Sequence, residues 1–179
     1  MPKTSTRHFL KEKEARQLLL DFSKRGAIDA ERLFGAKPKI EVTQTPVAEI
    51  YLIDGKPILA KSDDTLFPTL IFDDLLSSLP KITVDMGAVP YVCNGADVMA
   101  PGVVQIEGEF ERNDFLLVVD KRYGKSLAIG VALFDSRTMR ATKQGKTVKN
   151  VHYVGDRLWK LLKEAEKSID FSFSNTEHC

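Results

Sequence analysis

The chain has little of what most metalloproteins, secreted domains and hydrolases depend on. Among its 179 residues there are two cysteines, Cys93 and Cys179, which make neither a disulfide framework nor a zinc-ligand spacing. Its three histidines, His8, His152 and His178, are too scattered for a metal centre, so neither a metal nor a cofactor is expected. No apolar run approaches the roughly 18 residues of a membrane span. Residues Met1 to His8 lack the apolar stretch of a signal peptide, which makes the cytoplasm the expected compartment and a membrane an unexpected partner. No Gly-x-Ser-x-Gly elbow occurs. Gly145-Lys146-Thr147 looks like the end of a phosphate loop, but the glycine that motif needs five positions earlier is Arg140. Paired acids Asp63-Asp64 and Asp73-Asp74 sit beside an expected turn and helix start, where aspartate caps backbone amides. No catalytic residue is therefore expected, and the chain does not read as an enzyme.

Net charge is equally sparse, at +1. The average hides an asymmetry, because Ser136 to Lys163 holds eight basic residues against one acid, Asp156. That is a local electrostatic footprint of the kind nucleic acid attracts, with a solvated helix and strand face as the alternative. From Met86 to Glu111 there is no basic residue at all.

What is present in quantity is apolar sequence, 43% of the chain, enough for one large or two small cores. Ala15, Leu18, Leu19 and Phe22 recur at helical spacing over residues 10–25, and Gly26 ends that helix. A short helix at Asp29 to Phe34 is followed by strands near Val42, Val47 to Ile53 and Ile58 to Ala60, with Asp54-Gly55 as a hairpin signal. A helix over Phe72 to Leu79, closed by Pro80, ends an N-terminal α+β unit, residues 1–80. Strands are predicted at Ile82 to Met86, Val103 to Ile106, Phe115 to Asp120, Leu127 to Phe134 and Thr147 to Val154. The continuous apolar runs Phe115 to Val119 and Leu127 to Phe134 suit strands covered on both faces, as in a closed or nearly closed barrel. Asp156 is placed to cap a last helix carrying Leu158, Leu161, Leu162 and Ala165, which completes a second domain at 81–168. A polar tail, 169–179, is expected to be mobile, although Ile169, Phe171 and Phe173 alternate as a docked strand would.

The densest information lies in residues 84–102, where Gly87, Gly95 and Gly102 with Pro90 and Pro101 shape backbone between two apolar runs. A short helix from Val89 to Asn94, stopped by Asn94-Gly95, precedes a loop, Ala96 to Gly102, expected to expose amides. The run Val-Asp-Met-Gly-Ala, then Asn-Gly-Ala-Asp-Val-Met-Ala-Pro-Gly, then His152 to Trp159 resembles a PUA domain, an RNA-binding module. Phe67-Pro68-Thr69-Leu70 and the helix before Pro80 resemble the short domain preceding it in the group of the malignant-T-cell-amplified-sequence protein, the ligatin N-terminal region and archaeal stand-alone relatives.

That resemblance implies an α+β protein: a small N-terminal α+β domain, then a PUA-like β-barrel with a C-terminal helix. It also implies that Gly87, Ala88, Asn94, Gly95, Ala96, Val98, Met99, Ala100, Pro101 and Gly102 lie with the last strand on an RNA-facing side. Lys143, Lys146 and Lys149 then supply phosphate-reaching cations, and Tyr153, read onto the same strand face as Lys149, a ring for a base. His152 is read as a partly buried, satisfied residue, and Asp85 and Asp97 as ties for loop amides. Expected partners are tRNA, through its acceptor end, or rRNA, with a ribosomal subunit or translation factor. The leading expectation is a non-catalytic RNA-binding protein in translation or ribosome maturation. A protein-interaction adaptor and a targeting subunit for an RNA-modifying enzyme stay open beside it.

Overall fold

A computed structural model describes residues 6–26 and 28–174, with side chains as far as residue 167. The fold is α+β, with two antiparallel-rich sheets. The N-terminal half runs β1 (Arg7–Phe9), α1 (Glu12–Ser23), α2 (Ala30–Phe34), β2 (Ile40–Gln44), β3 (Glu49–Ile53), β4 (Lys56–Ser62), β5 (Thr65–Pro68) and α3 (Asp73–Ser78). Its strands pair in sequence order into a five-stranded meander. Two tight turns set the register. Asp54-Gly55 joins β3 to β4, and Asp63-Asp64, both left-handed at φ +49° and +61°, joins β4 to β5. Asp63-Asp64 is thus a hairpin turn, a conformation that aspartate tolerates better than most residues. Phe72 is the N-cap of α3 without a side-chain cap, so Asp73 and Asp74 favour that helix through its dipole.

The second half runs β6 (Lys81–Val84), α4 (Val89–Val92), β7 (Val98–Met99), a single 3-10 turn at Ala100–Gly102, β8 (Val103–Glu107), β9 (Phe115–Asp120), β10 (Ser126–Ala132), α5 (Ser136–Ala141), β11 (Lys146–Tyr153) and α6 (Arg157–Ser174). Its sheet has the order β7-β11-β10-β9-β6-β8, curling into a half-barrel in which no ladder joins β7 to β8 among the described residues. The sequence pattern missed β1, β5, β7 and α5, all of them too short for a period to show. Residues 169–174 continue α6, so the alternation of Ile169, Phe171 and Phe173 makes no strand, and 175–179 lie outside the described residues.

Every residue of β9 is buried, and the covering of its two faces explains the apolar run. Leu116 and Val118 join Ala128, Ala132 and Val148 inside the half-barrel. Phe115, Leu117 and Val119, with Ile129 and Val131 of β10, pack instead against Phe22, Leu59, Leu75 and other residues of the N-terminal half. Leu158 and Leu162 of α6 belong to that same cluster. The outer cover is therefore the N-terminal half, and the two halves share one core. Phe22 stacks on Phe115 at 5.8 Å, and the Phe115 N–H donates to the Arg25 carbonyl at 3.1 Å. Gly130 serves packing too, since a Cβ there would lie 2.2 Å from Cγ1 of Val148.

Candidate nucleic-acid interface

The stretch from Asp85 to Gly102 folds back on itself. Pro90 occupies the first turn of α4, and Cys93 closes the helix half-buried, its thiol pushed up in pKa by burial. Gly95, at φ +92°, reverses the chain within 3.1 Å of the Tyr153 ring, measured from the Cβ a larger residue would carry. Gly102, in the 3-10 turn and without a positive φ, also lets the chain come close, since a Cβ there would lie 3.2 Å from Cβ of Ala88. These glycines spend their close approach on the protein's own side chains. The loop amides are largely used as well: Ala96 N–H donates to Tyr91, Ala100 N–H to Gly145, and Val98 and Met99 pair with β11. Ala100 is buried, so the expected display of free amides from Ala96 to Gly102 is not what forms the surface.

What forms it is a groove of about 650 Å³ lined by Gly87, Ala88, Tyr91, Gly95 and Met99 with Lys146 of β11. Ala96, Val98, Pro101 and Gly102 also line it. Met99 stands opposite Lys146 in the β7–β11 ladder, which is how segments about fifty residues apart meet. Tyr91 (69% exposed) and Met99 (46%) form the lips. Tyr91 carries no signal of its own in the sequence beyond its place in the short helix expected over Val89 to Asn94; the structure leaves it exposed on α4.

Both carboxylates of the groove are committed. Oδ1 of Asp85 accepts from the Ala88 N–H at 2.8 Å, so Asp85 ties a loop amide as expected. Asp97 accepts instead from the Asn150 N–H of β11 at 2.9 Å and pairs with Nζ of Lys146 at 3.3 Å. The Asn150 amide group fastens the loop further, donating to the carbonyls of Val92 and Ala96 at 3.0 and 3.1 Å.

Five candidate residues do not line the groove: buried Ala100, Tyr153, whose ring packs against Gly95, and Asn94, Lys143 and Lys149. Asn94 is exposed on the turn after α4 without lining the groove. Lys143 lines a neighbouring cleft of about 430 Å³ with Ala100, Pro101, Arg140 and the edge strand β8, so Pro101 separates the two hollows. Lys149 is exposed, but a β-bulge in β11 removes it from Tyr153. Ile129 faces His152 while the next residue, Gly130, faces Asn150, leaving Val151 unpaired and inverting the alternation. Val148, Asn150 and Tyr153 consequently face the half-barrel side, and Lys149, opposite Val131, faces the other way. The expected Lys149–Tyr153 pair on one face does not form.

The same bulge seats His152 in the seam between the halves, fully buried. The Leu70 N–H donates to its Nε2 at 3.2 Å, so the ring proton is on Nδ1 and is donated to Asp156 at 2.7 Å. Asp156 also accepts from the amides of Tyr153 and Trp159, capping α6. Burial raises the pKa of that carboxyl, but the His152 bond and the two amides outweigh it and hold it below the usual range. His152 is a structural bridge.

Residues 80–154 match the family model described as PUA domain, and residues 6–72 the one described as a domain of unknown function, DUF1947. An uncharacterized protein of Methanocaldococcus jannaschii is 36% identical over 86% of this chain and 94% of its own length. Translation machinery-associated protein 20 of Schizosaccharomyces pombe is 30% identical over 64% of this chain and 67% of its own. Among solved structures, a PUA domain from Aeropyrum pernix K1 in complex with tartrate superposes with a TM-score of 0.76 at 30% identity, covering 89% of this chain and 91% of that one.

Proposed function

The chain belongs to the family of PUA-domain proteins that carry the DUF1947 domain, and from that premise we propose that it is a non-catalytic RNA-binding protein of the translation machinery. Its groove takes a single-stranded RNA end, best matched by the acceptor end of tRNA. The observation that carries this reading is the groove itself, with a small-residue floor, an aromatic lip and a thioether lip, and Lys146 brought in from a distant strand. Bases and riboses stack on and hydrogen-bond to surfaces of this kind. Asp85 and Asp97 disfavour phosphate on the floor, so phosphates lie at the rim, within reach of cations such as Lys143. Lys149, Asn94 and Tyr153 then act at most from outside the floor, Tyr153 by holding Gly95 in place.

Binding of tRNA should weaken with a log–log salt slope of roughly −2 to −3, corresponding to about three phosphate contacts. Removing the single-stranded 3′ end, or substituting Tyr91→Ala, should weaken it about tenfold, one stacked base. A salt-independent affinity, or equal binding without the 3′ end, would overturn the reading.

One observation favours a second reading, a protein-interaction adaptor: an apolar groove of about 760 Å³ between α1, α2 and β1 leaves Phe9 61% and Leu20 52% exposed. If docking there is the main task, Leu20→Glu abolishes function in cells while tRNA affinity stays unchanged.

A further inference from the structure

The β9–β10 hairpin tip, Lys121 to Lys125, presents three cations and an aromatic ring on five consecutive exposed residues. It is held rigidly by one buried acid. Asp120, 4% exposed, accepts from the amides of Tyr123 and Lys125 at 2.5 and 3.0 Å, and its carbonyl accepts from Gly124 at 3.1 Å. These amides, Tyr123 foremost, hold the Asp120 carboxyl below its ordinary range. The carboxylate faces inward onto backbone, and among the described residues Lys121, Arg122 and Lys125 form no ion pair. The Tyr123 ring lies 5.9 Å from Cζ of Arg122 and 5.6 Å from Nζ of Lys125. A fixed turn with unneutralised cations around an exposed ring suits a phosphate chain with an unstacked base.

The tip also abuts the groove. Lys121 N–H donates to the Val84 carbonyl at 3.0 Å, and the next residue, Asp85, donates to the Gly102 carbonyl at 3.0 Å, both Asp85 and Gly102 being groove residues. The groove's own cation, Lys146, is engaged by Asp97, so RNA leaving the groove at this end needs positive charge from elsewhere.

We propose that the Lys121–Lys125 tip is a second nucleic-acid contact, gripping the phosphates of the RNA segment that runs out of the groove while Tyr123 stacks on a base. This rests on the reading of the groove as an RNA site. The test compares the full chain, a triple variant (Lys121→Ser, Arg122→Ser, Lys125→Ser) and Tyr91→Ala against two RNAs, a stem with a single-stranded 3′ overhang and the isolated overhang. The triple variant leaves Asp120 in place, and an unchanged denaturation midpoint verifies its fold. For the stem RNA its salt slope should shrink by about 1 to 2, leaving the share of the rim cations, and its affinity fall at least about tenfold, with the isolated overhang bound as before. Tyr123→Ala should weaken binding roughly fivefold at unchanged slope. An unchanged slope in the triple variant overturns the inference; if Tyr91→Ala still loses the overhang, the groove reading survives it. Loss in the triple variant with Tyr91→Ala neutral keeps the tip and removes the groove. Loss of binding to phosphatidylserine-containing vesicles with RNA affinity intact would assign the tip to lipid and overturn the proposal.

Discussion

The seam between the two halves and the groove beside α4 are both built on β11, and they are specified in opposite ways. At the seam, His152 is fully buried and each ring nitrogen has one partner, so the identity of the side chain is what holds Leu70 to Asp156. At the groove, the same strand contributes Lys146 and Asn150, but the shape comes from backbone turns at Gly95 and Gly102. The bulge at Val151 lets one strand serve both, because it turns His152 to the seam and Tyr153 to the half-barrel side, the reverse of what unbroken alternation from Val148 and Asn150 would give. A buried polar bridge is intolerant of substitution and an exposed, backbone-shaped groove is not. Seam changes should therefore register in stability and groove changes in binding.

The hardest test of that contrast is His152→Ala. It removes a buried ring and leaves the Leu70 N–H and an oxygen of Asp156 without their partner, for an expected loss of about 3–5 kcal/mol. The denaturant midpoint reads it, and a loss below about 1 kcal/mol would mean that the seam is held by apolar packing alone. Asp156→Asn is the gentler version, at about 2 kcal/mol, because asparagine still caps a helix but turns an N–H toward donors. It also carries a pH signature. The carboxyl of Asp156 is held below the ordinary aspartate value in the folded chain. Its stabilisation is therefore fully present above about pH 4 and disappears as pH falls through the lower folded value. Denaturant midpoints between pH 7 and 3 should fall less steeply for Asp156→Asn than for the parent chain. Parallel curves would remove Asp156 from the seam.

The difference between the regions also explains what could be read in advance. The strands β9 and β10 and the capped start of α6 are legible because apolar runs, and an aspartate after Gly155 ahead of a helical leucine stripe, are local signals. The groove was legible as a segment, since Gly87, Gly95, Pro101 and Gly102 cluster in sequence, and as a link to Lys146 through the family resemblance. Its chemistry was less so. Lys149 and Tyr153 were put on one face because strict alternation cannot register a one-residue bulge, and Ala100 appeared free because β7 is two residues long. The role of Asp120 was invisible because it acts on the amides of Tyr123 and Lys125, and the cover on the outer face of β9 depends on contacts with residues as distant as Phe22.

Gly95→Ala bears on the one place where groove and β11 touch most closely, and its expected stability cost is small, about 1 kcal/mol for a left-handed residue. The added Cβ meets the Tyr153 ring at 3.1 Å, so either the ring or the turn must yield by a few tenths of an ångström. Tyr153 neighbours His152, whose bonds to Leu70 and Asp156 resist movement, so the turn gives way and the floor between Tyr91 and Met99 shifts. RNA affinity should fall about tenfold while the denaturant midpoint moves little. Gly55→Ala is the control: it has a similar φ, +81°, and open space around the new methyl, far from the groove in the β3–β4 turn. Its stability cost should be that of the left-handed φ alone, somewhat below that of Gly95→Ala, with RNA affinity untouched. Equal RNA affinities for the two variants would show that the shape of the turn at Gly95 has no part in binding, and the contrast between a side-chain seam and a backbone groove would fail at its narrowest point.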